Sequence, residues 1–301
     1  MMQILVISGF LGAGKTTFIK KLVEMTRESF AILENEYGEV PVDGSFIRDS
    51  ADKEVNIWEL TEGCICCSVK SDFASSILTI ANTLNPKYLI VEPTGVGMLS
   101  NIMRNIGQIQ YSRIELLKPI TVIDASCFAS DMMEYKEIYC DQIASTSKII
   151  FSKTEQLTQN EVQFLADAVR RLNKNATIEP EHYSKKSQDW WMHLLEDSSG
   201  YSVLLKTRKD VNPDLDNIGF ENVRLQSVGD LVCLLEETIR GNYGMIRRAK
   251  GCVRIDDFQI RFDVVDGVYN ITGISENTAV NAVFIGKALN RHLLQKRLGC
   301  I

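Results

Sequence analysis

Gly9-Phe10-Leu11-Gly12-Ala13-Gly14-Lys15-Thr16-Thr17 is the stretch on which the reading of this chain turns. It satisfies G-x-x-x-x-G-K-[ST], the pattern of a phosphate-binding loop. The flanks agree. Gln3 to Ser8 is an apolar run with the character of a buried strand, and Lys15 to Glu28 carries Phe18, Ile19, Leu22 and Val23 at helical spacing. A strand that turns through glycines into a helix gathers backbone N–H groups and a positive helix end at one spot, which suits a triphosphate. Gly9, Gly12, Ala13, Gly14 and Thr17 supply the cradle. Lys15 brings a full charge toward the β and γ phosphates, and Thr16 offers a hydroxyl to Mg²⁺. The motif alone does not choose between ATP and GTP, or between kinase and hydrolase.

Working outward, short apolar runs alternate with helical patterns through the first half. Strands are predicted at Phe30 to Leu33, Val55 to Leu60, Tyr88 to Val91, Pro119 to Ile123 and Lys148 to Phe151. Helices are predicted at Ser68 to Leu84, near Met132 to Ala144 and at Glu161 to Leu172. This alternation implies right-handed βαβ units and a mostly parallel sheet covered on both faces. Residues 180 to 218 are polar and read as a connecting segment anchored by Trp190 and Trp191. Beyond them a strand (Asn222 to Ser227) and a helix (Gly229 to Arg240) precede strands at Gly251 to Asp256, Gln259 to Val265, Val268 to Thr272 and Ala279 to Ile285. A helix over Lys287 to Arg297 closes the chain. The expected class is α/β, a P-loop NTPase with a mostly parallel sheet, followed by a small C-terminal α+β domain. The expected division is 1–180, a connector at 181–218, and 219–301.

The chain has 301 residues, 45% of them hydrophobic and 24% charged, enough for a buried core. Its formal net charge of −6 argues against nucleic-acid binding, which needs a basic footprint. Local basic runs at Arg247-Arg248-Ala249-Lys250 and along Arg291 to Arg297 read as solvated faces. No stretch has the length of a membrane span, and the N-terminus runs straight into a strand, so a cytoplasmic protein with reduced thiols is expected. Cys127, Cys140, Cys233, Cys252 and Cys300 are scattered and read as small buried hydrophobes.

Acidic residues gather where a parallel sheet binds ligands, at strand carboxyl ends. Glu92-Pro93-Thr94-Gly95 follows Tyr88 to Val91. Glu92 is placed to act on Mg²⁺, and Gly95 to donate an N–H to the γ phosphate. Asp124 ends the Pro119 to Ile123 run in the same way. Glu34-Asn35-Glu36-Tyr37-Gly38-Glu39 follows the second strand and suits metal or water positioning. Between these elements lies Gly63-Cys64-Ile65-Cys66-Cys67. Soft thiolates select Zn²⁺, Cu(I) and related ions. Three sulfurs in four residues can reach one ion, with Glu34 or Glu39 completing the shell. A redox thiol pair and inert buried cysteines are the competing readings. His182, His193 and His292 stand alone.

Taken together and in this order, the phosphate loop, Glu34 to Glu39, Gly63 to Cys67 and Glu92 to Gly95 resemble the CobW-like GTPases, relatives of the nickel-insertion GTPases UreG and HypB. Arg247 to Arg254 and Ala282 to Gly286 resemble the CobW C-terminal domain. The resemblance covers both ends of the chain and leaves 180 to 218 unmatched. It implies a GTP-hydrolysing metallochaperone carrying zinc, cobalt or a similar ion to a client metalloprotein or a cofactor-synthesis enzyme, with homodimer formation open.

Carried over by position, Lys15 and Thr16 hold phosphate and Mg²⁺, and Glu92 and Gly95 form the Walker B-like element. Cys64, Cys66 and Cys67 bind the transferred metal, with Glu34 and Glu39 as co-ligands. The family's guanine-reading Asn-Lys-x-Asp is here Ser152-Lys153-Thr154-Glu155. A carboxylate at Glu155 still accepts from two guanine N–H donors, and adenine has no matching pair. Glu155 is one methylene longer than Asp and Ser152 removes an amide, which leaves the strength of GTP-over-ATP selection open. A small-molecule kinase would share the loop but needs an arginine-rich lid, which the sequence lacks. A redox-sensing or corrinoid-protein adaptor would use the thiols without catalysis.

Overall fold

The computed structural model describes residues 1–35, 56–60, 70–107, 114–196, 216–265, 267–274 and 280–299, with the side chains of 34–35, 56–60, 70–75, 217 and 274 outside that description. The chain divides into two compact units.

The first unit is built on parallel strands. In chain order these are β1 (Met2–Ser8), β2 (Phe30–Asn35), β3 (Asn56–Leu60), β4 (Tyr88–Glu92), β5 (Ile114–Leu116), β6 (Ile120–Asp124), β7 (Lys148–Ser152) and β8 (Thr177–Glu179). Their order across the sheet is β3-β2-β4-β1-β6-β7-β8, with β5 beside β1, and every pairing is parallel. Helices α1 (Lys15–Thr26), α2 (Lys70–Thr83), α3 (Leu99–Gly107), α4 (Phe128–Glu134), α5 (Lys136–Ala144), α6 (Gln159–Leu172) and α7 (Gln188–Glu196) accompany them. Two apolar clusters flank the central strands. One contains Leu5, Ile7, Phe18, Leu22 and Ile90; the other contains Ile4, Val6, Ile80, Leu89 and Ile102. Alternate residues of β1 and β4 thus enter opposite cores, as a sheet buried on both faces requires.

Several expectations are corrected in this unit. The helix expected near Met132 to Ala144 is two, because Tyr135 leaves helical geometry between α4 and α5 (φ −124°, ψ 37°). Helix α3 and strands β5 and β8 were not anticipated. In the stretch read as a connector, α7 places Trp191 in the core at 0% exposure, 5.0 Å from Phe18 between ring centroids. Trp190 packs at its edge.

The second unit is an antiparallel sheet of β9 (Asp216–Glu221), β10 (Met245–Ile255), β11 (Phe258–Val265), β12 (Val268–Ile274) and β13 (Asn281–Lys287), ordered β12-β11-β10-β13-β9. Its core joins Phe220, Ala249, Phe262 and Phe284 to Leu231 and Leu235 of α8 (Val228–Ile239) and Leu294 of α9 (Arg291–Arg297). The strand expected at Asn222 to Ser227 lies earlier instead. Asn222 sits in the left-handed region (φ 56°) and ends β9, and Ser227 caps α8 by accepting from the Asp230 amide. The closing helix starts at Arg291 rather than Lys287, because Lys287 completes β13, Ala288 has φ 52° and Asn290 caps the helix. Nor is Arg247 to Lys250 a solvated face. These residues lie in β10, where Lys250 is buried and Arg248 meets Asp263 at 3.5 Å. Of the scattered cysteines only Cys252 is buried among those described. Cys127 and Cys140 are half-buried, Cys233 is exposed on α8, and Cys300 lies outside the described residues.

Candidate nucleotide site

β1 delivers the chain to the phosphate loop, and α1 leaves it. Gly14 occupies the N-cap position with φ 85°, a left-handed conformation that suits glycine. No side chain caps α1 there, and its first turn carries no acid. The helix end is therefore left to its own N–H groups, a ready anion site. Ala13 closes a turn inside the loop, its N–H donating to the Phe10 carbonyl at 3.2 Å. Lys15 is buried, and its ammonium reaches back over the loop to that same carbonyl at 3.3 Å. Thr17 is exposed and Gly12 half-buried. The Phe10 ring is gripped by Tyr135 and Tyr139, at centroid distances of 4.9 and 5.2 Å, which ties the loop to α5. Burial, reinforced by Asp131, pushes the Tyr139 hydroxyl well above its ordinary pKa, so it stays a neutral donor to that carboxylate.

Thr16 and Glu92 come together across the β1–β4 boundary. The threonine hydroxyl lies 3.2 and 3.5 Å from the two carboxylate oxygens. A hydroxyl and a carboxylate side by side beneath a triphosphate cradle are the hard oxygen donors that Mg²⁺ prefers, and they leave room for the waters it keeps. The donor set fits the ion. By register, Glu92 stands opposite Glu34, and Glu34 opposite Glu59, so one rung across β4, β2 and β3 carries three acidic residues. Glu59 was not singled out in the sequence, since the rung exists only once the strands pair.

The loop after β4 is pressed on the phosphate loop. A Cβ on Gly95 would lie 2.5 Å from the Leu11 amide nitrogen and 2.8 Å from its Cα, so only glycine allows this approach. The loop is also held from behind. Gln142 of α5 donates from its amide to the carbonyls of Gly95 (3.1 Å) and Gly97 (3.0 Å). Its neighbour Asp141 accepts from the Ser100 amide (3.0 Å) in the first turn of α3. Both are buried, and sequence reading missed both, because nothing local to α5 reveals the loop they hold.

Another loop at this end of the sheet follows β7. Ser152 is buried, and its hydroxyl donates to the Ala13 carbonyl at 2.7 Å, tying this loop to the phosphate loop. Lys153 has φ 54°, and its ammonium meets Asp124 at 2.6 Å. That pairing gives Asp124, considered for Mg²⁺ from sequence, a different neighbour. The Asp124 carboxylate also accepts from the Ser126 amide and hydroxyl at 2.9 and 2.6 Å. Glu155 is exposed and meets His182 at 3.3 Å. The phosphate loop, Glu92, Gly95, Lys153 and Glu155 all stand at or beyond the carboxyl ends of β1, β4 and β7. Cys64, Cys66, Cys67 and Glu39 lie outside the described residues, as does the side chain of Glu34.

Among the described residues no helix is long and apolar enough to cross a membrane. The sequence profile of the CobW/HypB/UreG nucleotide-binding domain matches residues 3–180. The chain is 27% identical over 267 residues to the zinc chaperone YjiA of Escherichia coli, covering 83% of this chain and 81% of YjiA. It is 31% identical over 162 residues to the zinc chaperone YeiR of the same organism, covering 53% of this chain and 48% of YeiR. It is 23% identical over 211 residues to the zinc-regulated GTPase metalloprotein activator 1 of Dictyostelium discoideum, covering 58% of this chain and 44% of that protein. The chain therefore spans a little under half the length of the latter two relatives.

Proposed function

We infer that this chain, which belongs to the CobW/HypB/UreG family, is a GTP-hydrolysing metallochaperone that binds zinc or a chemically similar ion such as cobalt and passes it to a client protein or cofactor pathway. The observation that carries the reading is the meeting of Thr16 and Glu92 beside the phosphate loop, with Gly95 pressed against the same loop. The names of the relatives add zinc and GTP hydrolysis.

In this reading Lys15 and the N–H groups of Gly9 to Thr17 hold the phosphates. Thr16 and Glu92 would hold Mg²⁺, which would supply positive charge to the phosphates of the nucleotide. The Gly95 amide senses the γ phosphate, and Lys153 and Glu155 hold the base. Cys64, Cys66 and Cys67, with Glu34 and Glu39, take the cargo. Glu34 supports this assignment by sharing a rung with Glu92, so one row of backbone serves both the nucleotide and the cargo. Cargo binding requires thiolates, and free cysteine has a pKa of about 8.5, so metal affinity rises with pH. We assign nucleotide handling to the first unit and client docking to the C-terminal α+β unit, 219–301 in the division drawn from sequence.

Anaerobic zinc titration with GTP, with GDP and without nucleotide, repeated on Cys66→Ala, tests the coupling. The expected result is tighter zinc binding with GTP and its loss in the variant. Equal affinity in all three nucleotide states refutes a GTP-gated cargo site.

A further inference from the structure

We propose that His182 is the residue that positions Glu155 to read guanine, and so sets the selectivity for nucleotides bearing both the N1–H and the 2-amino donor. This rests on the assignment of Glu155 to the base given above.

The two residues come from matching places in the sheet. Glu155 lies three residues beyond the end of β7, and His182 three residues beyond the end of its parallel neighbour β8. The imidazole Nε2 is 3.3 Å from Glu155 Oε1. The histidine's other face fixes its tautomer. The backbone N–H of Ser184 points at Nδ1 at 3.3 Å, and a backbone amide can only donate. Nδ1 is therefore the acceptor, with the Ser184 hydroxyl 2.8 Å away as a second donor. In the neutral ring the proton then sits on Nε2, the nitrogen that faces the carboxylate. The ring is held flat as well, stacked on Tyr183 at 4.3 Å and 27° between planes. Tyr183 is itself buried edge-on against Phe18 of α1, the helix that opens at the phosphate loop. Burial first, and the Glu155 charge second, hold the Tyr183 hydroxyl above its ordinary pKa, so the platform carries no charge of its own.

An exposed glutamate on a loop has three side-chain torsions to fix before it can meet a base edge. Here the side chain is 65% exposed, whereas its histidine partner is 16% exposed. A fixed N–H facing one oxygen at 3.3 Å restricts the carboxylate while leaving lone pairs on both oxygens for guanine, since a carboxylate offers about four acceptor sites. The pair accounts for how a glutamate, longer by one methylene than the family's aspartate, could still present a defined edge.

The test measures competition of GTP, ITP and ATP against a fluorescent GTP analogue on the full chain with Mg²⁺. Inosine lacks the 2-amino donor and so reads out the bidentate contact. Wild type, His182→Phe, His182→Gln and Glu155→Gln are compared, with melting temperature as the fold control. His182→Phe keeps the stack and removes the donor. It is expected to lower the GTP-over-ITP preference about tenfold, leave ATP affinity and kcat at saturating GTP unchanged, and be rescued in part by His182→Gln. A preference that collapses in Glu155→Gln but is untouched in both histidine variants overturns the positioning role. A preference untouched in Glu155→Gln removes the base assignment itself, and the proposal with it.

Discussion

Replacing Gln142 with methionine separates the support of the Gly95 loop from everything else in the site. Methionine is unbranched and of similar length, so it leaves little cavity. What it removes is one amide that donates to two carbonyls, Gly95 at 3.1 Å and Gly97 at 3.0 Å. The donor is buried, at 2% exposure, so water does not readily take its place. Each buried acceptor left unsatisfied costs about 1–3 kcal/mol. Added apolar burial offsets part of this, and the expected loss is about 2–4 kcal/mol. The three tryptophans, Trp58, Trp190 and Trp191, all belong to the first unit, so urea unfolding followed by tryptophan fluorescence reports on that unit alone. The midpoint should fall with little change in slope. The same change should slow GTP hydrolysis at least about tenfold at saturating nucleotide, because the Gly95 amide no longer waits at a fixed place. A variant within about 0.5 kcal/mol of wild type would mean the carbonyls are hydrated after all. Lost stability with unchanged hydrolysis would mean Gln142 braces the fold and not the loop.

Glu92→Gln keeps the shape but removes the charge facing Thr16, and phosphate release should fall by on the order of 100-fold with a higher Mg²⁺ requirement. Trp191→Ala empties a fully buried site beside Phe18 and should cost about 3–5 kcal/mol in the same urea experiment. In the second unit, the Glu237 carboxyl lies below its ordinary value of 4.5, held there first by the Tyr243 hydroxyl and then by Arg297. A lowered folded pKa contributes stability that is complete above the unfolded value and disappears as pH falls through the folded one. Acid titration should therefore show wild type more stable than Glu237→Gln at pH 7, with the two converging as pH drops below 4.5; a constant gap would refute the linkage.

The parts of the fold that could be read from sequence are those whose signal is local. The phosphate loop, β1, β4 and β6 announce themselves through apolar runs that end in glycine or acid, and β7 through its apolar run alone. Helix α3 was missed because Ser100, Asn101 and Asn105 masked the period carried by Leu99, Ile102, Met103 and Ile106. Those three are polar and nonetheless buried, Ser100 because its amide meets Asp141. The short strands β5 and β8 have three residues each, too few for a period to show. At Asn222 a left-handed residue ended the strand where composition alone promised its start. The grip of Gln142 on Gly95, the Ser152 tie to Ala13 and the rung through Glu59 are invisible for another reason. Each depends on residues far apart in the chain that only strand pairing and helix packing bring face to face.

Asp141 and Gln142 are neighbours on one helix, yet one holds the start of α3 and the other holds the turn that precedes it. The turn and the helix therefore share one support on α5. Ile102, Met103 and Ile106 of α3 in turn share a core with Ile77, Ile80 and Ala81 of α2. Helix α2 begins at Lys70, three residues after Cys67. Packed side chains thus link the support of Gly95 to the helix that begins three residues after Cys67.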